Sequence, residues 1–585
     1  MFRRVPLSTI VRRTPFLIQK CFTSKLVNGE RIYVSDFESI LDKASKEKTL
    51  FQYIERRIKE ADPKSVAAVQ AETEEHITYG ELLTDIERVA QMLYHDAEIR
   101  KGDGVCIAYP NHYRFGSLVY GTMRLGAVVS TVSPASDADS LHHYLIECKA
   151  KALVGIRVNQ KVMEQAVDRV MRETNREVKI LYPQEYFENS SSLKPIPKDY
   201  EPLKDAKPND TIFVPFSSGT TGLPKGVQLT NYSLTANVMQ ASAAWQLNAN
   251  DTTIAVLPFF HIYGFTTTLN MVFASHARQV VMSSYALDLY MNSVHKYKAT
   301  VNNIAPPIAV SMLKNAQKYK HLDLTSMTML RCGAAPLTEE TELLVESTFP
   351  GCSFAQTFGT TETSPIITCT PRKLLKGHVY GSSGPLVPDT EVRVIRVDDS
   401  QQSGADKSSG EDVGEGEEGE IWVRGPQLMK GYLKQSDTDK CMQDGWYRTG
   451  DIGRVDTKTG DVIITDRLKE LIKYKGFQVS PAALEGVLLD HPWVEDCIVI
   501  GVTDPRDVSF ESPRALIVLK SDLPLDSALN AADRITNFIM KRVPPHQRLH
   551  GGVRIVKEIP KNPAGKLLRR IARQQEIEYL KTIEN

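Results

Sequence analysis

The stretch Phe216-Ser217-Ser218-Gly219-Thr220-Thr221-Gly222-Leu223-Pro224-Lys225-Gly226-Val227 sets four hydroxyls, three glycines and one lysine close together. Glycine opens backbone conformations in which successive N–H groups converge on an anion, and the Ser and Thr hydroxyls donate further hydrogen bonds. Lys225 adds a positive charge. The chemistry these residues suit is holding a nucleotide's phosphates, which points to an enzyme that spends ATP. The pattern is not the P-loop of the common NTPases. Counting from Gly219, where that loop needs Gly, Lys and then Ser or Thr, this chain has Pro224, Lys225 and Gly226.

The same stretch resembles, nearly residue for residue, the phosphate loop of the adenylate-forming enzymes, the superfamily of acyl-CoA synthetases, 4-coumarate:CoA ligases and firefly luciferases. A surface turn of small polar residues accounts for four such residues but not for twelve in this order. Six further segments match that superfamily in its own order, and the 4-coumarate:CoA ligase-like branch is the nearest in pattern.

What each segment does is implied by the resemblance. In Pro258-Phe259-Phe260-His261-Ile262-Tyr263-Gly264-Phe265, His261 lies beside the reacting carboxylate and the aromatics line the acyl tunnel. Read alone, such a histidine is a satisfied core residue. In Arg331-Cys332-Gly333-Ala334-Ala335-Pro336-Leu337, the small residues Gly333, Ala334 and Ala335 let an adenine or an acyl chain lie against the backbone, and Cys332 replaces the family's usual serine. In Gln356-Thr357-Phe358-Gly359-Thr360-Thr361-Glu362, Phe358 stacks on adenine, Thr361 bonds the α-phosphate and Glu362 holds magnesium. Thr357-Phe358 stands where relatives more often carry Gly-Tyr, so stacking survives and a phenol hydroxyl is lost.

Asp451, in Tyr447-Arg448-Thr449-Gly450-Asp451, accepts from the ribose hydroxyls, with Arg467 as a second ribose or phosphate contact. The segment Asp466 to Pro481 contains Lys469 at the family's hinge, and Lys473, Gly476 and Gln478 on the face presented during thioester formation. Lys566, in Pro560-Lys561-Asn562-Pro563-Ala564-Gly565-Lys566, matches the lysine that bridges the acid's carboxylate and the α-phosphate. The implied reactants are ATP, magnesium, coenzyme A and a small-molecule carboxylic acid. Ile262, Tyr263, Phe265, Ala334 and Ile366 suit a fatty or aromatic acid. Three alternatives stand beside this reading: a luciferase-like enzyme that oxidises the adenylate, a non-catalytic nucleotide or acyl-CoA binding protein, and an NTPase proper, which the missing P-loop disfavours.

Elements must position these residues, and their patterns are legible. Thr211-Ile212-Phe213-Val214 reads as a buried strand delivering the phosphate loop. Val301 to Ala305 reads as a strand, and Pro336 to Phe349 as a helix. Val392 to Ile395 and Ile421 to Val423 read as a hairpin whose Ser/Gly/Asp/Glu-rich tip spans 398–420. Cys497 to Val502 and Ala515 to Leu519 read as strands of a smaller unit, with helices over Leu529 to Arg542 and Leu567 to Leu580. The expected fold class is α/β: a large multi-subdomain N-terminal domain of sheets and helices, 31–466, and a small mobile C-terminal α+β lid, 467–585.

Composition excludes other classes. At 585 residues the chain exceeds one hydrophobic core, and 42% hydrophobic with 24% charged residues is ordinary for a globular protein. Lys plus Arg equals Asp plus Glu at 71 each, so no net field favours nucleic acid. The cysteines are scattered without a C-x-x-C pair, which argues against zinc and for reduced thiols. No apolar run is long enough to span a bilayer; Ile254 to Ala274 reads instead as a pocket wall. Residues 1–30 carry Arg3, Arg4, Arg12, Arg13, Lys20 and Lys25 before the first acid, Glu30, and resemble a mitochondrial transit peptide. The expectation is a mitochondrial location, with the cytoplasm as alternative; the ending Thr582-Ile583-Glu584-Asn585 lacks a Ser-Lys-Leu type address.

Overall fold

The computed structural model describes residues 22–27, 29–188, 193–217, 224–374, 378–397, 410–468, 470–474, 477–504, 507–521, 523, 529–561 and 567–584. Apolar strands build the centre of the large domain. Gly104–Ile107, Val128–Thr131 and Ala150–Val154 are almost wholly buried and pair in parallel, with Lys179–Leu181 at one edge. A parallel strand is covered on both faces, so its sequence needs no polar alternation. The sheet continues through Thr211–Phe213 to Lys225–Thr230 and ends on Phe216–Ser217, which carries the candidate phosphate segment to its edge.

Two four-stranded sheets flank that arrangement. One joins Thr252–Ala255, Arg278–Val281, Val66–Gln70 and His76–Thr78. From its last strand the helix Tyr79–Asp96 starts behind a capping box, in which the Thr78 hydroxyl accepts from the Glu81 N–H and the Glu81 carboxylate accepts from the Thr78 N–H at 2.8 Å. The other runs Val301–Ile304, Met329–Cys332, Ser353–Gly359 and Ile366–Cys369, parallel except for its last strand. The buried helix Asn231–Trp245 leaves the phosphate strand and packs on that last strand, Asn237 donating to the Ile366 carbonyl at 2.9 Å. The helix expected over Pro336 to Phe349 begins later, at Glu339, because Thr338 caps it by accepting from the Thr341 N–H.

A further, antiparallel sheet gathers distant segments in the order Phe22–Val27, Glu30–Ser35, Glu391–Ile395, Gly419–Arg424 and Trp446–Val455, with Val462–Arg467 beside the last. The expected hairpin of Glu391–Ile395 on Gly419–Arg424 is present, and residues 398–409 of its tip lie outside the described residues. Within the segment 1–30, Phe22–Val27 pairs with Glu30–Ser35 across a turn in which Gly29 takes φ +86°. Arg467, at the expected start of the lid, ends a strand that pairs with Trp446–Val455.

The lid pairs Val494–Asp504 antiparallel with Asp507–Leu519, and the latter parallel with Val553–Ile555. The helices Pro481–Leu489 and Ala531–Met540 cover one face through Leu484, Leu488, Ile535 and Ile539. Arg569, opening the helix Arg569–Glu584, grips the buried Glu485 with two nitrogens at 3.0 and 2.9 Å and reaches Glu470 at 2.9 Å, tying the lid to the chain that leaves the large domain. The segment Ile254 to Ala274 is largely buried, and no helix among the described residues is long and apolar enough to cross a membrane.

Candidate active site

The two ends of the candidate phosphate segment pair antiparallel, Phe216 facing Gly226 and Ser217 facing Lys225. Ser218, Gly219, Thr220, Thr221 and Gly222 lie outside the described residues, but both stems are placed. A Cβ on Gly226 would come within 2.4 Å of the Leu433 side-chain tip. Gly431–Tyr432 adds to the strand Lys225–Thr230, with Tyr432 opposite Val227. Lys225 then sits with Nζ 2.9 Å from Oδ1 of Asp437 and 5.3 Å from the centre of the Tyr432 ring. The ammonium's hydrogen bond holds the Asp437 carboxyl below the usual aspartate range.

Tyr432 connects this lysine to Glu362, its hydroxyl donating to Oε1 at 2.6 Å. Burial and the adjacent carboxylate push the phenol far up, so it stays a donor. Glu362 lies in the turn Thr361–Thr363, where Thr360 and Thr363 cap each other and Thr361 is half-buried. Gly359 precedes it and is obligatory, since a Cβ would fall 2.0 Å from the Pro365 carbonyl oxygen. Phe358 is half-buried, and Thr357 donates to the Thr368 carbonyl at 2.6 Å. No cluster of three or more His, Cys, Asp or Glu suited to a metal exists among the described residues. One carboxylate near the candidate phosphate segment fits magnesium, which binds through one or two carboxylates plus substrate phosphates.

Gln356 clamps the loop after Met329–Cys332. Its Oε1 accepts from the Leu337 N–H at 2.7 Å, and its Nε2 donates to the Leu337 carbonyl at 2.9 Å and to Oε1 of Glu342 at 2.6 Å. Gln356 thus shapes the loop, with its amide fully engaged. Ala334 and Ala335 are exposed, and Ala334 holds φ +83°, a conformation unusual for a residue with a side chain. Gly333 is buried against Tyr263 and Thr357, both 3.1 Å from where a Cβ would be. His261 caps the short helix Ile262–Gly264, its Nδ1 accepting from the Tyr263 N–H at 3.3 Å. Phe265 stacks on Phe213 at 4.0 Å, and Thr266 donates to the Ser364 carbonyl at 2.7 Å, docking the aromatic segment on both the phosphate strand and the Glu362 turn.

Asp451 and Arg467 close the site. They face each other in register, Nε to Oδ1 at 2.8 Å, and the carboxylate raises the guanidinium's proton affinity, with Glu362 contributing more distantly. The charge of Glu362 is felt at Arg467 and at the buried Tyr447, so the Asp451–Arg467 pair and the Glu362 turn lie near each other. Lys473 and Gln478 pair across the hairpin Ile472–Tyr474 and Phe477–Val479; their side chains, together with Lys469, Gly476 and Lys566, lie outside the described residues.

Residues 55–433 match the family described as AMP-binding enzyme, and residues 483–566 its C-terminal domain. The chain belongs to the AMP-binding enzyme family. This AMP-binding enzyme is 32% identical over 566 residues to Probable 4-coumarate-CoA ligase 2 of Dictyostelium discoideum, covering 93% of this chain and 98% of the relative. It is 33% identical to 4-coumarate-CoA ligase 1 of Narcissus pseudonarcissus, over 85% of this chain and 88% of that one. Its fold matches ATP-bound MatB from Rhodopseudomonas palustris with TM-score 0.77 and 23% identity, over 90% of this chain and 98% of that structure.

Sequence reading had missed Tyr432, Asp437 and Glu420. Glu420 accepts from the Gly450 N–H at 3.1 Å and so holds the turn before Asp451. None of the three carries a local signal, because each is recruited by strand pairing across many residues.

Proposed function

We propose that this AMP-binding enzyme is an ATP-dependent acid:CoA ligase that joins a carboxylic acid to coenzyme A by way of an acyl-adenylate. The observation that carries the reading is the chain of contacts from Lys225 through Tyr432 to Glu362, together with the Asp451–Arg467 pair. A polyanion's phosphates meet Lys225 and the hydroxyls of the phosphate segment, and its ribose meets Asp451. Glu362 is the residue that would hold magnesium, which supplies charge neutralisation to the phosphates when bound.

In the first half-reaction a carboxylate oxygen of the acid bonds the α-phosphorus of ATP, and the bond from that phosphorus to the bridging oxygen breaks. Pyrophosphate leaves. Thr361 and Lys566 are assigned to the developing charge at the α-phosphate and the carboxylate. The lid then turns at Lys469, withdrawing Lys566 and presenting Lys473 and Gly476. The thiol of coenzyme A loses its proton to a base, for which His261 is the candidate, and its sulfur bonds the acyl carbon while the bond to AMP breaks.

The test is pyrophosphate release from ATP and magnesium across a panel of carboxylic acids, with and without coenzyme A. Acid-dependent pyrophosphate, with thioester formed only when coenzyme A is present, is the expected result. Oxidation of the adenylate, ADP in place of AMP, or no acid-dependent release at all would refute it. The basic N-terminal segment supports a mitochondrial location, checked by import of the full-length chain into isolated mitochondria and loss of import after its arginines are replaced.

A further inference from the structure

The helix Ala138–Glu147 lies against both ends of the candidate phosphate segment. Asp137 caps it, its carboxylate accepting from the Ser140 N–H at 2.8 Å, and Leu141 and Leu145 are buried in the core with Leu153 of the parallel sheet. One face of the helix is thereby fixed. Glu147 follows Tyr144 by three residues and His143 by four, the spacing that sets side chains side by side on a helix.

These three residues reach the site's framework. His143 Nε2 donates to the Pro224 carbonyl at 2.9 Å, and the Tyr144 ring packs on Phe216 with centres 4.5 Å apart. Glu147 pairs at 2.9 Å with Lys434, two residues after Tyr432. That lysine is 62% exposed, so the pair contributes little, and the directional hold on the segment falls to His143. A carbonyl oxygen only accepts, so His143 carries a proton on Nε2. The Pro224 carbonyl and the Lys225 N–H belong to one planar peptide group. Fixing the carbonyl therefore fixes the plane from which Lys225 departs, and Ser217 faces Lys225 across the ladder.

We propose that His143 is a positioning residue for ATP: by holding the Pro224 carbonyl it aims Lys225 at the nucleotide's phosphates. This rests on the ligase reading above, in which Lys225 meets those phosphates. Without the donor at His143 the peptide plane is free to rotate and the ammonium spreads over several orientations. Nucleotide binding then weakens more than acid binding, because the loss falls on the group that orients the phosphates.

The experiment measures steady-state kinetics of the full chain in ATP and in the acid for wild type, His143→Ala and His143→Gln. The glutamine amide offers an N–H near the place of Nε2, whereas alanine leaves the carbonyl without a donor. The expected result for His143→Ala is a rise in KM for ATP of about three- to tenfold, with KM for the acid within about twofold. His143→Gln is expected to restore most of the loss. His143→Asn, whose amide stops short of the carbonyl, carries the same test if His143→Ala does not fold. An unchanged KM for ATP, equal rises for both substrates, or His143→Gln as impaired as His143→Ala would show that His143 only packs the helix and would overturn the inference. A wild type that releases no pyrophosphate with any acid would instead refute the ligase reading. Calorimetric ATP affinities of the same variants would then still decide the role of His143, with the same ratios expected.

Discussion

Asp451 and Arg467 stand opposite each other on neighbouring antiparallel strands, Nε of the arginine 2.8 Å from Oδ1 of the aspartate. The aspartate is buried, while a third of the arginine side chain is exposed at 33%. Asp451→Ala therefore leaves a partly solvated cation without its partner. The expected cost is about 2–3 kcal/mol of unfolding free energy, somewhat below that for breaking a fully buried pair. Denaturant melts measure that loss, and a rise in KM for ATP that exceeds the rise in KM for the acid would separate a nucleotide role from general damage.

Lys225 is neutralised by Asp437, so an incoming phosphate competes with that carboxylate for the ammonium. Asp437→Asn removes the competitor and should lower KM for ATP several-fold. Lys225→Ala should lower kcat/KM about a hundredfold. Opposite signs in the two variants, read from steady-state kinetics in ATP, are the diagnostic; equal losses in both would mean the pair serves only to hold the strand Gly431–Tyr432.

Tyr432→Phe deletes the hydroxyl that donates to Glu362 at 2.6 Å without changing the ring that faces Lys225. A hydrogen bond to a charged group contributes about 1.5–3 kcal/mol, so an approximately tenfold or larger fall in kcat is expected. The magnesium concentration for half-maximal rate should rise in the same variant. An unchanged magnesium titration would detach Glu362 from the metal.

Gly333→Ala would place a methyl 3.1 Å from both Tyr263 and Thr357. Small-to-large changes in packed sites cost about 1–3 kcal/mol, and here the cost falls on the acid's path. KM for the acid should rise about tenfold or more, with KM for ATP within about twofold. Equal effects on both substrates would argue that the loop has moved as a whole.

Asp461 is buried and accepts from the Ser382 hydroxyl at 2.7 Å; burial pushes its carboxyl up to about 6. An aspartate in the unfolded chain titrates near about 4. The folded protein thus binds this proton more tightly, and the stability it contributes is present below about 4 and lost as pH rises through about 6. The difference corresponds to at most about 3 kcal/mol. Chemical unfolding of wild type and Asp461→Asn from pH 4 to pH 7 should show the wild type losing ground to the variant across that window; parallel curves would exclude it.

What the sequence determined by itself was whatever is encoded in neighbouring residues. The glycine-and-hydroxyl segment ending in Lys225, the order of the motifs around it, and the apolar runs of strands such as Val301–Ile304 all lie within a few residues of themselves, where conformational preference and periodicity operate. Two strands and two helices of the lid were legible for the same reason, though the strand expected from Ala515 begins at Asp507, and the helix Pro481–Leu489 and the strand Val553–Ile555 were not foreseen. Tertiary structure alone decided which side chains meet. Tyr432 reaches Glu362 from 70 positions away, Asp437 reaches Lys225 from 212, and Gln356 turned out to brace the loop at Leu337. Register between distant strands sets those meetings, and register is fixed by the burial of whole faces rather than by any local signal. Arg331 makes the point most sharply: in the chain it is one more cation at the end of a strand, and only the packing of Trp245 and Cys369 around it shows a fully buried guanidinium that donates from Nη1 to the Cys369 sulfur.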